Sequence, residues 1–221
     1  MDRLAQFYSS AIGKKAVMAV TGVIGIGFLI LHVLGNLLAF RGPDALNSYS
    51  RFLRNTGELL WILRAVLIVS LILHVVAAVQ LTLQNRAARP TGYAMRESQV
   101  ATLASRTMRI GGVLLLVFIV VHILHFTTGT IRPAGSFVAG DVYANVVSSF
   151  RLWWVTLFYV VAMVALGGHL YHGAWSSARS VGATQPTMNP LQHRASLLIA
   201  IFIWLGFTIV PVAVFLGVIG R

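Results

Sequence analysis

Cysteine is absent from the 221 residues. That excludes disulfides, thiolate-bound iron–sulfur clusters and the C-x-x-C-H attachment of c-type haem within this chain. Any haem is therefore held non-covalently, and any iron–sulfur cluster belongs to another chain. Charge is scarce too: 10% of residues are Asp, Glu, Lys or Arg, where a soluble domain carries about 25%. Too few polar residues remain to coat a soluble surface of this size. The missing polarity is replaced by apolar residues, 57% of the chain, with mean hydropathy +0.82. Such a chain belongs in a membrane.

Acid is the scarcer charge, 5 residues against 17 Lys and Arg, for a net +12. The basic residues stand singly between apolar runs, which points to membrane topology and not to a nucleic-acid partner. Five runs are evident, at 16–40, 59–83 (interrupted by Arg64 alone), 110–131, 152–174 and 195–220. Each exceeds the roughly 20 residues that cross a hydrocarbon core. The expected fold is all-α: an integral membrane bundle of five transmembrane helices, one domain over 1–221. Pro211 predicts a kink in the fifth. The intervening loops read as short and polar, and residues 1–15 as an amphipathic lead-in ending at Lys14-Lys15. The first run is too long for a signal-peptide core, and no small-residue cleavage site comes after it.

Orientation follows from the basic residues on alternate sides. Arg3, Lys14, Lys15, Arg86, Arg89, Arg96, Arg106, Arg109, Arg179 and Arg194 share the side of the N-terminus. Arg41, Arg51, Arg54, Arg132, Arg151 and Arg221 share the other. The heavier side is expected in the cytoplasm, with the C-terminus outside.

Six of the seven histidines lie in the apolar runs: His32, His74, His122, His125, His169 and His172. An ionisable group at membrane depth marks a functional site by default, although a single one is as readily a packing residue hydrogen-bonded to a neighbouring helix. Depth separates the two readings. At 1.5 Å per residue, His32 and His122 sit roughly 20–24 Å from the inner boundary on outward-running helices. His74 and His169 sit roughly 22–26 Å from the outer boundary on inward-running ones. Two pairs at two depths suit two irons, each held from opposite faces by imidazoles of separate helices. Gly22, Gly25, Gly27, Gly35, Gly111, Gly112, Gly167 and Gly168 would leave room for a flat macrocycle, or else simply permit close helix packing. Zinc fits less well, because its sites gather three or four ligands at one point. His122 and His125, like His169 and His172, are spaced i, i+3 and so share a helix face. Spacing does not choose between them.

The segments Gly13-Lys14-Lys15-Ala16-Val17-Met18-Ala19-Val20-Thr21-Gly22, His32-Val33-Leu34-Gly35-Asn36-Leu37 and Gly42-Pro43-Asp44-Ala45-Leu46-Asn47-Ser48-Tyr49 together resemble a known family. It is the single-chain di-haem cytochrome b membrane anchor of succinate:quinone oxidoreductase (complex II, the succinate dehydrogenase and fumarate reductase family). The resemblance spans essentially the whole chain. It implies one haem ligand on each of the first four helices. The third ligand follows an arginine by thirteen positions, as His122 follows Arg109, and the fourth precedes a pattern matched by Gly173 and Trp175. His32 and His122 would then hold an outer haem b, and His74 and His169 an inner one.

The resemblance further implies a flavoprotein and an iron–sulfur subunit on the cytoplasmic face of a prokaryotic inner membrane. Electrons from succinate would pass by the two haems to a quinone, with menaquinone the expected type, as a step of the respiratory chain and tricarboxylic acid cycle. The chain alone would not oxidise succinate. Some fumarate-reducing relatives carry Glu two positions before the fourth ligand; Gly167 stands there, which favours succinate oxidation over the reverse reaction. A higher oligomer is compatible with all of this, and a histidine-based proton-relay protein is the alternative from another class.

Arg64, Glu58, His125, His172, Tyr49 and Trp153 are the further candidates for haem propionates or quinone. Each has a plainer role available. Arg64 could snorkel to the interface, Glu58 could complement a helix dipole, and Trp153 with Trp154 could anchor the interface.

Overall fold

Ser10 opens the first long helix in the computed structural model, which describes residues 3–88, 103–180, 182 and 190–220. Its backbone is extended, at φ −72° and ψ 155°, and its hydroxyl oxygen accepts from the Gly13 N–H at 3.0 Å. One of the donors left unpaired at a helix start is thereby satisfied. In chain order the elements are α1 (Arg3–Ser9), α2 (Ala11–Leu37), a 3-10 turn (Leu38–Arg41), α3 (Pro43–Asn55), α4 (Glu58–Ala87), α5 (Leu103–His122), a π turn (Ile123–Thr127), α6 (Val142–Phe150), α7 (Trp153–Ser180) and α8 (Pro190–Phe215). Among the described residues there is no strand. Also among the described residues, five spans are long and apolar enough to cross a membrane, built on α2, α4, α5, α7 and α8.

Helix ends depart from the apolar runs where polar groups take part in the fold. α2 begins at Ala11 and not at residue 16, so that Lys14 lies within the helix. It is 4% exposed, and its Nζ donates to the carbonyls of Tyr8 and Ser9 at 3.1 and 2.8 Å, closing the last turn of α1. α7 continues to Ser180, and α8 runs through Pro211 to Phe215. Beyond α8 the chain turns back, and the Val218 and Ile219 N–H groups both donate to the Ala213 carbonyl.

Two stretches expected as polar loops are helical. α3 starts with Pro43 directly after Gly42, whose φ of 93° is a backbone conformation glycine tolerates,. α6 is capped by Asp141, whose carboxylate accepts from the Ala144 N–H at 3.0 Å. Asn47 of α3 donates to the same carboxylate at 2.9 Å and accepts from the Tyr143 N–H at 3.1 Å. The Ala144 and Asn47 hydrogen bonds hold the Asp141 carboxyl below the usual carboxylate range,. At the opposite end Tyr8 donates to Gln80 at 3.0 Å, tying α1 to α4.

α2 packs against α4, α7 and α8, while α7 also packs against α5. Small residues let these helices approach. A Cβ at Gly206 of α8 would collide with Val33 of α2, and Val33 and Ile203 are fully enclosed between them. α4 lies at the rim, with only Ser70 and Ala77 fully buried. His74 shares their face at i, i+4 and i+7, so that stripe turns His74 toward α2. The outward faces carry exposed apolar side chains such as Val20, Leu31, Trp61, Ile68 and Val117, as a hydrocarbon solvent requires.

Of the basic residues used for orientation, Arg89, Arg96 and Arg221 and the side chain of Arg106 lie outside the described residues.

Candidate functional site

Four helices bring their histidines together in two pairs. The His32 ring on α2 faces His122 at the end of α5, with centroids 5.9 Å apart and planes at 81°. The His74 ring on α4 faces His169 on α7, with centroids 6.2 Å apart and planes at 54°. Imidazole nitrogens sit about 2.0–2.1 Å from a divalent metal, so two rings facing one ion from opposite sides hold their centroids roughly 6 Å apart. Both pairs have that spacing.

The two levels are well separated. Thr21 touches His74, and His32 lies eleven residues further along α2, roughly 16 Å at helical rise. Gly112 lies beside His169, and His122 is ten residues further along α5, roughly 15 Å. Two different helices thus give the same separation.

Each pair has an oriented member. Thr21 Oγ1 donates to the Val17 carbonyl at 2.7 Å, so toward His74 Nδ1, at 3.0 Å, it can only accept,. His74 therefore carries its proton on Nδ1 and keeps the Nε2 lone pair free. The Nδ1 of its partner His169 is buried without a hydrogen-bond partner. At the other level the His122 Nδ1 lies 3.5 Å from the Tyr159 hydroxyl. Aromatic rings wall this pair: Phe28 stacks on His32 at 5.2 Å, Phe207 lies 5.4 Å from it, and Phe118 stacks on His122 at 5.7 Å.

His122 and His125 reach one common partner, the Tyr159 hydroxyl, through their Nδ1 atoms at 3.5 and 2.9 Å. The π turn begins one residue after His122, marked by the Thr128 N–H donating to the Ile123 carbonyl at 3.0 Å. It adds a residue to that turn and rotates the side chains beyond it about the helix axis. His125 lies within this turn. It is 4% exposed, with Nδ1 2.9 Å from the Tyr159 hydroxyl and Nε2 2.9 Å from Ser149 Oγ. Both its nitrogens are engaged by protein, whereas His122 has one left over. Sequence reasoning missed Thr21, Tyr159 and Ser149. Thr21 carried a faint signal, because eleven residues before His32 is three helical turns on the same face.

The glycines divide. Added Cβ atoms at Gly22 and Gly112 would stand beside the His74 and His169 rings at 3.7 and 3.9 Å, and at Gly25, Gly27, Gly111 and Gly168 they would meet nothing within 4 Å. Gly35 leaves no free room, and a Cβ at Gly167 would be in ordinary contact with Trp204 at 3.5 Å. The Tyr49 ring would stand only 2.6 Å from a Cβ at Gly35. Tyr49 thus packs one turn beyond His32.

Arg64 lies over the Trp61 ring at 4.9 Å. Ten residues before His74 on α4, it stands roughly 15 Å along the axis, level with His32. Glu58 is exposed in the first turn of α4, and Trp153 and Trp154 are exposed at the start of α7. His172 is half-buried, 6.1 Å from Trp175. A cavity of about 210 Å³ lies beside the α5–α7 contact, lined by Val121, His125, Arg132, Trp154, Phe158 and Tyr159 among others.

Paired imidazoles, an unpartnered buried ring nitrogen and glycine-lined space suit a flat metal macrocycle with two axial imidazoles at each level. Among the described residues no three His, Asp or Glu converge on one point, as a structural zinc would need.

The chain is 28% identical over 192 residues to a protein described as the succinate dehydrogenase cytochrome b558 subunit of Bacillus subtilis (strain 168). The match covers 86% of this chain and 88% of that one. No family model matches the chain, and no solved structure does.

Proposed function

We infer that this chain is a complex II cytochrome b membrane anchor, a multi-pass protein of a prokaryotic cytoplasmic membrane, and propose from that premise that it holds two haems b and links an iron–sulfur partner on one membrane face to a quinone near the other. The observation that carries the proposal is the pairing of four histidines from four helices at two levels. When bound, haem b supplies a one-electron ferric–ferrous couple at each level. His32 and His122 would hold one, His74 and His169 the other.

The rest of the chain's work is positioning and exclusion. Thr21 holds His74 in the tautomer that leaves Nε2 free. Phe28, Phe118 and Phe207 keep water from the His32–His122 level. Arg64, level with that pair, is the candidate partner of a propionate, since a charge at membrane depth needs one. The α1 end carries Lys15, Arg86, Arg179 and Arg194, and the excess of positive charge on that side favours a cytoplasmic N-terminus. Flavoprotein and iron–sulfur subunits would dock there. The quinone, of the menaquinone type, would then meet the opposite end, where Glu58, Trp153, Tyr49 and the His125 cavity lie. His172, near the α1 end, is the one quinone or propionate candidate at the other level. Succinate oxidation is the proposed direction.

The test is a reduced-minus-oxidised spectrum of the purified complex, with haem quantified as the pyridine haemochrome. Two haems b per chain are expected. One or none refutes the proposal, and a chain without any dithionite-reducible b-type spectrum would belong instead to a proton-relay class.

A further inference from the structure

We propose that Tyr159 and His125 are positioning residues that set the tautomer of His122 and thereby the potential at the His32–His122 level. This rests on the reading of His122 as an axial imidazole. Four groups on three helices and the π turn form one chain. Ser149 Oγ of α6 lies 2.9 Å from His125 Nε2, His125 Nδ1 lies 2.9 Å from the Tyr159 hydroxyl, and that hydroxyl lies 3.5 Å from His122 Nδ1. Ser149, His125 and Tyr159 are all buried.

A hydroxyl carries one proton and a neutral imidazole carries one, so such a chain has only two orientations. If Tyr159 donates to His122, the His122 proton sits on Nε2, and that nitrogen has no lone pair for a metal. In the reverse orientation His122 Nδ1–H donates to the Tyr159 oxygen, Tyr159 donates to His125 Nδ1, and His125 Nε2–H donates to Ser149 Oγ. His122 then presents an Nε2 lone pair. Coordination by His122 and the outward orientation of this chain are one and the same choice. The π turn carries His125, whose two nitrogens meet Tyr159 and Ser149. Thr21 does the same service for His74 with a single hydroxyl.

An acceptor on the far nitrogen of an axial imidazole raises its basicity and so favours the oxidised metal. Loss of that acceptor should raise the midpoint potential at this level alone. Tyr159→Phe is the test variant, because it keeps the ring that packs on Phe118, Phe126 and Phe150 and removes only the hydroxyl. In potentiometric titration of the intact complex, both haems should remain. The potential of one should rise by the equivalent of a tenfold change in its oxidised-to-reduced ratio, ~59 mV for one electron, while the other stays put. Ser149→Ala, at the remote end of the chain, should move the same haem in the same direction by less, and it serves if Tyr159→Phe does not assemble. An unmoved potential, or equal movement of both haems, overturns the proposal. A wild-type complex lacking two haems overturns the functional reading instead.

Discussion

Replacing Thr21 with Val tests whether one hydroxyl governs ligation at the His74–His169 level. The exchange is nearly isosteric, so the α2–α4 contact should survive. What goes is the acceptor 3.0 Å from His74 Nδ1, in a side chain only 8% exposed. Leaving a buried donor unpaired costs about 1–3 kcal/mol, and about 1.4 kcal/mol corresponds to a tenfold change in an equilibrium constant. The His74 ring can avoid that cost by rotating or by moving its proton to Nε2, and both remove the lone pair from the site. Haem affinity at this level should therefore fall about 10- to 100-fold, the usual effect of deleting a partner behind a metal ligand. Haem content of the purified variant, measured with the oxidised and reduced spectra, should show partial loss of one haem only. Thr21→Ser keeps the hydroxyl and should restore it. If Thr21→Val retains both haems with unchanged affinity and potentials, or loses the His32–His122 haem instead, the tautomer argument is wrong.

The remaining predictions concern ligation, space and charge movement. Replacing His122 should remove the haem it shares with His32, whereas replacing His125 should keep both haems and shift one potential; the opposite pattern in the spectra would move the ligand one turn along. Gly168→Leu fills space that is open within 4 Å of the Cβ position and should lower haem content while membrane insertion, read by protein level in the membrane fraction, is unaffected. Gly35→Ala should instead destabilise the fold by about 1–3 kcal/mol, the usual cost of overpacking, because its Cβ would stand 2.6 Å from the Tyr49 ring; thermal denaturation in detergent measures this, and an unchanged Tm refutes it. With the α1 end in the cytoplasm, electrons passing to a quinone at the opposite end cross most of the membrane field, which acts with about 2.3 kcal/mol per charge per 100 mV. Succinate-to-quinone rates and proton exchange on the two faces of sealed vesicles should then respond to an uncoupler, and indifference to it refutes that placement of the quinone.

Much of the architecture was legible along the chain because the membrane reduces the problem. A hydrocarbon solvent admits a span only as a helix or a closed β-barrel, and uninterrupted apolar runs of this length suit only the helix, so the five runs could be read as helices without tertiary information. A helix has a fixed rise, so counting residues also gave the depth of each histidine, and the pairs expected from depth are the pairs whose rings face each other at 5.9 and 6.2 Å. Residue counting fails where the backbone leaves the regular helix. The π turn after His122 carries His125, and no spacing rule could anticipate its contacts, because they are made with Ser149 and Tyr159 on other helices. Tertiary contacts likewise decided that Gly35 and Gly167 receive Tyr49 and Trp204 while Gly168 stays open. The same holds for Lys14, whose ammonium closes the last turn of α1, and for the loops holding α3 and α6, which are helices joined through Asn47 and Asp141. Hydropathy and helical rise are properties of one segment. A tautomer, a filled groove or a capping lysine is a property of two segments meeting, and only the folded bundle determines which ones meet.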